Sequence, residues 1–175
     1  MRRAVFLDRD GVINANLERD GRPVAPTSLA EFHILPGVED AVRQLKKQGY
    51  LAIVITNQPD VANGLTERSI VEAMHEVIRT RLSIDDIRVC FHNDAAGCAC
   101  RKPKPGLILA AAAEHDIDLA RSYVVGDRWR DVAAGRAAGC ATIFIDYGYK
   151  QEGANFPDMV VKSLPEATAL ILGRR

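Results

Sequence analysis

The chain has 175 residues and a mass of 19.2 kDa, the size of one domain, and at that length a core stands without disulfide or metal staples. Apolar residues make up 47% and charged residues 26%, globular proportions that exclude a disordered chain or a coiled coil. Lys and Arg total 23 and Asp and Glu total 23, so no net field draws the chain to nucleic acid or anionic membrane, and only a local basic patch stays open.

The opening MRRAVFLD carries too short an apolar stretch for a signal peptide. No apolar run approaches the ~18 residues of a membrane span. One soluble, cytoplasmic domain over residues 1–175 is therefore expected. Four cysteines in a reducing compartment point to metal binding before disulfides.

AVFLD (4–8) is a short continuous apolar run, as a buried parallel strand is. Residues 37–47 place Val38, Ala41, Val42 and Leu45 on one helical face, and Gly49 stops the helix. LAIVIT (51–56) is the next strand. A second helix runs to Leu82, with Thr66 as its expected cap. IRVCF (87–91) is a strand, and GLILAAAAEH (106–115) a helix entered through Pro105. SYVVGD (122–127) and ATIFID (141–146) are strands on either side of the helix DVAAGRAAG (131–139). A short strand at 159–161 and a helix at 165–172 complete the chain.

Strands and helices alternate about five times, which predicts an α/β fold: an open, doubly wound, Rossmann-like parallel sheet with right-handed crossovers. Two stretches read as irregular, 15–36 and 92–105, and long loops in a compact domain are usually functional. Ligands of such sheets bind beyond the carboxyl ends of the strands, so chemistry belongs where a strand stops.

Four strand ends carry suitable groups. FLDRDGVIN (6–14) projects Asp8 and Asp10, with Gly11 turning the chain away. Such a pair holds a hard cation such as Mg²⁺, or one member attacks an electrophilic phosphorus. The plainer reading is an Asp–Gly turn with Arg9 as an ion-pair neighbour. TNQ (56–58) offers a hydroxyl, an amide and backbone N–H groups to a phosphate, or is simply a polar turn. RKPKPG (101–106) sets Arg101, Lys102 and Lys104 at a helix N-terminus, where like charge is unfavourable unless an anion binds. The alternative there is a solvated basic loop. GDRWRD (126–131) supplies Asp127 and, one helical turn on, Asp131, either of which could be an N-cap.

In order and place these motifs resemble the haloacid dehalogenase-type (HAD) phosphatases across residues 4–131. The resemblance implies Asp8 as a nucleophile forming an aspartyl-phosphate, and Asp10 as the acid and base around it. It implies Thr56 and Lys102 as holders of the transferring phosphoryl group. Mg²⁺ would be held by Asp8, the Asp10 carbonyl and Asp127. Asn57, Gln58 and Arg128 beside these groups are further candidates for substrate contact. Positioning and charge neutralisation dominate phosphoryl transfer, so the set makes physical sense.

Cys90, His92, Cys98 and Cys100 form C-x-H-x5-C-x-C, three thiolates and an imidazole, a tetrahedral zinc set with no open position. The alternative is a core Cys90 beside an exposed loop. A bound Zn²⁺ would be structural and would fix Arg101 and Lys102, which follow directly. The leftover Cys140 reads as core. A zinc loop running into RKPKPG resembles the branch that contains the heptose 1,7-bisphosphate phosphatases and the histidinol-phosphate phosphatases. NQPDVANGLTE (57–67) and RKPKPG are similar to the heptose enzymes, whereas the x5 spacing is also that of the histidinol enzymes. Two departures stand out: CFH where both groups carry CPH, and a longer loop at 15–36. The resemblance implies a capless, monomeric enzyme acting on a small sugar phosphate, without nucleic acid or membrane. Specificity would come from the zinc loop, with Arg101 reaching a second phosphate, and from Asn16 to Arg19 on the opposite rim.

Overall fold

The computed structural model describes residues 1–150 and 156–173. Its centre is a six-stranded, wholly parallel sheet. The strands are β1 (Arg3–Leu7), β4 (Tyr50–Asn57), β5 (Asp86–Cys90), β6 (Tyr123–Gly126), β7 (Ala141–Ile145) and β8 (Met159–Val161), in the order β5-β4-β1-β6-β7-β8. Side chains alternate between the faces of a strand. Val5 and Leu7 of β1 and Ala52 and Val54 of β4 join one cluster, whereas Ala4, Phe6, Leu51, Ile53 and Ile55 join the other. Both faces are thus covered, and the strands read as unbroken apolar runs for that reason.

Helices α1 (Val38–Lys47), α2 (Arg68–Arg81) and α5 (Leu164–Gly173) cover the first face. Helices α3 (Gly106–His115) and α4 (Trp129–Ala138) cover the second. Helix α1 buries the four residues its periodicity picks out, and it ends as Gly49 turns left-handed with φ 81°. Glu39 and Asp40 in its first turn and Lys46 and Lys47 in its last complement its dipole.

Two expectations need correction. Thr66 does not cap α2, since Glu67 holds the N-cap position and makes no side-chain cap bond. The Thr66 hydroxyl instead donates to the Thr27 carbonyl at 3.0 Å, tying two loops together. The stretch 15–36 is not wholly irregular either. It contains an antiparallel hairpin, β2 (Leu17–Arg19) and β3 (Arg22–Val24). Asp20 and Gly21 at its turn have φ of 52° and 69°, the positive values that a tight two-residue hairpin turn requires.

The connections decide where the site lies. From β1 the chain moves to β4 and β5, then crosses to β6 on the other side of β1. The switch point therefore falls between β1 and β6, where open α/β sheets bind ligands. Leu7 is level with both Val54 and Val125, so Asp8 and the residues after β6 emerge at one edge. Among the described residues only the hairpin and a one-turn helix interrupt the path from β1 to α1. Between β4 and α3 lie α2, β5 and the loop 91–105, so no cap domain stands over this edge.

Candidate active site

Asp8 leaves β1 with its backbone N–H bonded to the Val125 carbonyl at 3.0 Å, which joins the two strands across the switch point. Its carboxylate accepts from the Arg9 N–H and from Lys102 Nζ, both at 2.8 Å. Asp10 turns from Asp8 into a buried polar frame. Its Oδ1 accepts from Arg9 Nη2 at 2.9 Å and from Asn14 Nδ2 at 2.9 Å, and its Oδ2 from Gln58 Nε2 at 2.8 Å. Arg9 is fully buried, so its expected ion pair with Asp10 is real and belongs to the site. Gly11 adopts φ 83°, and a Cβ there would collide with Asp127 and Asn16. Only glycine lets these strand ends close on each other.

Lys102 comes from the loop before α3 and is 3% exposed. Its three ammonium protons go to Asp8 at 2.8 Å, Asp131 at 2.6 Å and the Ile55 carbonyl at 2.9 Å. Asn57, at the end of β4, clamps that loop. Its Nδ2 donates to the Lys102 carbonyl at 3.0 Å, and its Oδ1 accepts the Lys102 N–H at 3.1 Å. Asp131 also accepts the Arg128 N–H at 3.0 Å, and a Cβ on Gly126 would collide with it. Above these groups opens a cavity of about 320 Å³, within the range of small-ligand sites. Asp8, Asp10, Asp127 and Asp131 line its floor, the hairpin gives Pro23 and Val24 to one wall, and Arg101, Arg128 and Arg130 stand around it.

The HAD-hydrolase-like family model matches residues 99–167. Heptose-1,7-bisphosphate 7-phosphatase of Rhodopseudomonas palustris is 39% identical over 93% of this chain and 90% of its own length. The Salmonella typhi enzyme of the same name is 36% identical over 96% and 94%. The chain belongs to the haloacid dehalogenase-type phosphatases, in their heptose-bisphosphatase branch. Its fold superposes on the crystal structure of the D,D-heptose 1,7-bisphosphate phosphatase of Bordetella bronchiseptica, complexed with magnesium and phosphate, with TM-score 0.85. Sequence identity there is 31%, over 99% of both chains.

The phosphatase concentrates negative charge at the cavity floor. Asp8, Asp127 and Asp131 each offer an oxygen within 4.8 Å of the others, and Lys102 is the ammonium beside them. Burial pushes the Asp8 carboxyl up to about 8, with Asp131 adding to the effect and Lys102 opposing it. Burial and Asp131 likewise push Asp127 up to about 7. Asp10 moves the other way. Burial would raise it, but the Arg9 charge and the bonds from Arg9, Asn14 and Gln58 hold it below the usual carboxylate value. Lys102 is pushed up, because Asp131 and Asp8 outweigh the burial that disfavours its charge. Against these three carboxylates stand the Lys102 ammonium and, at Asp127, the Arg128 guanidinium with Nε 3.4 Å away, and the all-oxygen donor set suits a hard ion such as Mg²⁺.

The zinc set converges as its spacing predicts. Cys90 Sγ lies 3.7 Å from Cys98 Sγ and 3.6 Å from His92 Nδ1. Cys100 Sγ lies 3.2, 3.4 and 3.4 Å from Cys90, Cys98 and His92 Nδ1. A tetrahedron with Zn–S bonds of ~2.3 Å and Zn–N bonds of ~2.0 Å has edges of roughly 3.5–3.8 Å, so the four atoms fit with small adjustments. Lys104 ties the loop from inside, donating to the carbonyls of Gly97 at 2.9 Å and Cys98 at 2.8 Å. Cys140 is buried in the core, as expected.

Most expected site residues meet in one place, and the exceptions are informative. Asp8, Asp10, Asn16, Asn57, Arg101, Lys102, Asp127 and Arg128 line the cavity. Thr56 and Gln58 lie just behind the wall, 0% and 2% exposed, with Gln58 Nε2 donating to Thr56 Oγ1 at 2.8 Å. Gln58 therefore braces Asp10 and Thr56 where substrate contact was expected. Arg19 is on the hairpin, paired with Glu31 at 2.9 Å and outside the cavity wall. Asp131, which the sequence offers beside Asp127 without a role, and Arg130, which it does not single out, also line the cavity. Asp131 had a signal, one helical turn beyond Asp127, but its partner Lys102 is 29 residues away. For Arg130, a second arginine in GDRWRD, the sequence gives no stronger sign than for any surface arginine.

Proposed function

We propose that this single-domain chain is a Mg²⁺-dependent phosphatase that removes the 7-phosphate of D-glycero-D-manno-heptose 1,7-bisphosphate through an aspartyl-phosphate on Asp8. The reading places it, as a cytoplasmic monomer, in the supply of nucleotide-activated heptose for surface polysaccharide. It rests above all on one observation: Asp8 ends β1 at the switch point, gripped by Lys102 and open to the cavity. The named relatives then supply the substrate.

In the first half-reaction an Asp8 carboxylate oxygen attacks the 7-phosphorus as the bond to the sugar oxygen breaks, and Asp10 hands its proton to that oxygen. The incoming phosphate dianion raises the proton affinity of Asp10 above its value in the empty site. Lys102 keeps positive charge at the phosphoryl oxygens, with Asn57 fixing the loop that carries it. Thr56, oriented by Gln58, faces the same strand end. In the second half-reaction Asp10 takes a proton from water, which attacks phosphorus and releases Asp8. Its frame of Arg9, Asn14 and Gln58 favours the carboxylate needed for that step. A divalent ion held by Asp8, the Asp10 carbonyl and Asp127 would offset the charge of the phosphate and of the carboxylates around it. Cys90, His92, Cys98 and Cys100 would hold Zn²⁺ through four protein ligands, and the ion would serve to brace the loop that leads into Lys102.

Phosphate release from heptose 1,7-bisphosphate and from histidinol phosphate, with Mg²⁺, tests the reading. The heptose should have the larger kcat/KM, and a preference for histidinol phosphate would transfer the assignment to the other enzyme of the branch.

A further inference from the structure

Two basic side chains are wholly buried behind Asp10: Arg9, which follows β1, and His75 on α2, both 0% exposed. Arg9 spends its side-on edge on Asp10, with Nε and Nη2 donating to Oδ1 at 3.2 and 2.9 Å. Its remaining nitrogen, Nη1, meets His75 Nε2 at 3.4 Å, from a helix 66 residues further along the chain. The Phe32 ring lies against the guanidinium, 5.8 Å from Cζ to its centroid. The backbone of Arg9 is pinned as well, since its carbonyl accepts from the N–H groups of Val12, Ile13 and Asn14.

A guanidinium only donates, so His75 Nε2 must face it with a lone pair and carry the ring proton on Nδ1. Nδ1 has no hydrogen-bond partner among the described residues, and the Glu72 carboxylate stands 3.6 Å from it. Burial disfavours the imidazolium most, Arg9 and Arg79 add to that and Glu72 opposes them, so the ring is pushed down to about 4 and stays neutral. A neutral acceptor is what this spot requires. A carboxylate would compete with Asp10 for the charge of Arg9, a cation would repel it, and an apolar side chain would leave Nη1 buried without a partner.

We propose that His75 is a positioning residue for the proton-transfer group: its Nε2 holds Arg9, and Arg9 in turn holds Asp10 where it can serve the leaving oxygen. The proposal rests on the reading of Asp10 as acid and base given above. Proton transfer depends steeply on geometry, so loosening Arg9 weakens the step that needs a proton and spares the one that does not. A sugar oxygen leaves only if it is protonated, whereas p-nitrophenolate leaves without help. The loss of His75 should therefore fall on sugar phosphates and largely spare p-nitrophenyl phosphate.

The test compares wild type, His75→Leu, His75→Gln and, as reference, Asp10→Asn. Single-turnover release of the leaving group is followed with enzyme in excess and Mg²⁺ present. The substrates are p-nitrophenyl phosphate and heptose 1,7-bisphosphate, or fructose 1,6-bisphosphate if wild type prefers it. Asp10→Asn should slow release of the sugar about 100-fold or more and release of nitrophenol far less. His75→Leu should slow the sugar about 10-fold, keep nitrophenol within about threefold of wild type, and leave the steady-state KM within about twofold. His75→Gln offers Arg9 a neutral carbonyl oxygen and should recover most of the loss. Equal losses on both substrates, a change confined to KM, or a Gln variant no better than Leu overturns the role of His75. Loss of the substrate difference in Asp10→Asn itself overturns the acid–base reading instead. Circular dichroism checks the fold of each variant. Should His75→Leu fail to fold, ¹⁵N NMR of the wild-type imidazole still decides: a proton on Nε2 refutes the proposal, and a bare Nε2 with a protonated Nδ1 supports it.

Discussion

Mg²⁺ should stabilise this protein more as pH rises from 6 to 8, and the reason lies in the cavity floor. Asp8 and Asp127 are pushed up to about 8 and about 7 from an ordinary value of 3.8. A carboxyl whose folded pKa exceeds its unfolded one holds its proton more tightly when folded. Its stabilising contribution is complete below about pH 4 and is lost as pH climbs through 7 and 8. The metal-free protein should therefore weaken across that window, and an ion bound by those carboxylates must displace the protons they retain. One displaced proton per ion strengthens binding by about 1.4 kcal/mol for each pH unit, or roughly 2.7 kcal/mol between pH 6 and 8. For a domain of this size 1 kcal/mol moves Tm by about 2–4 °C, so the Mg²⁺-induced rise should be about 5–11 °C larger at pH 8 than at pH 6. His75, buried beside Arg9 and pushed down to about 4, costs stability only as pH falls below 6.5, equally with and without Mg²⁺. The assay is thermal unfolding at pH 6, 7 and 8 in matched buffers of equal ionic strength, with zinc retained throughout. An equal Mg²⁺ effect at pH 6 and pH 8 would refute the assignment of these carboxylates as the binding set.

Asp8→Asn should leave the fold intact and abolish turnover, because an amide cannot form the acyl phosphate; more than about a tenth of wild-type kcat, roughly 1.4 kcal/mol of barrier, rules out Asp8 as nucleophile. Cys98→Ser should weaken zinc binding and lower activity while far-ultraviolet circular dichroism stays near wild type, since the metal orders one loop of a chain with its own core; full activity in zinc-free protein contradicts this. Gln58→Leu removes donors from Asp10 and Thr56 and should lower kcat about 10-fold or more with little change in KM; a change confined to KM would mark Gln58 as a substrate contact instead. Gly11→Ala should destabilise by more than the usual ~1 kcal/mol of a point mutation and impair catalysis, because its φ of 83° and its nearness to Asp127 both exclude a side chain; calorimetry and kinetics on the purified variant check it.

Much of this molecule was legible in the sequence because its signals are local. Unbroken apolar runs marked strands covered on both faces, and the four residues of α1 marked its buried side. C-x-H-x5-C-x-C could be read because four ligands within eleven positions need little long-range help to converge. Strand ends named the motifs because every strand of a parallel sheet points its carboxyl end the same way. The Asp20–Gly21 hairpin was equally local, a signal present and unused.

Tertiary structure alone allocated the partners. Whether an arginine faces substrate depends on which of its nitrogens another segment has taken, and spacing along the chain carries no trace of that. Asp94 accepts from the side-on edge of Arg101 and from one nitrogen of Arg130, 36 residues away, a three-way tie that no position in the sequence suggests. The same holds for Gln58, drawn behind the wall by Asp10 at a separation of 48 residues, and for Asp131, recruited by Lys102. Propensity and periodicity act over a few residues and fix the elements. Hydrogen-bond capacity is divided among side chains brought together from distant strand ends, so the working state of each charged group is settled only when the sheet assembles.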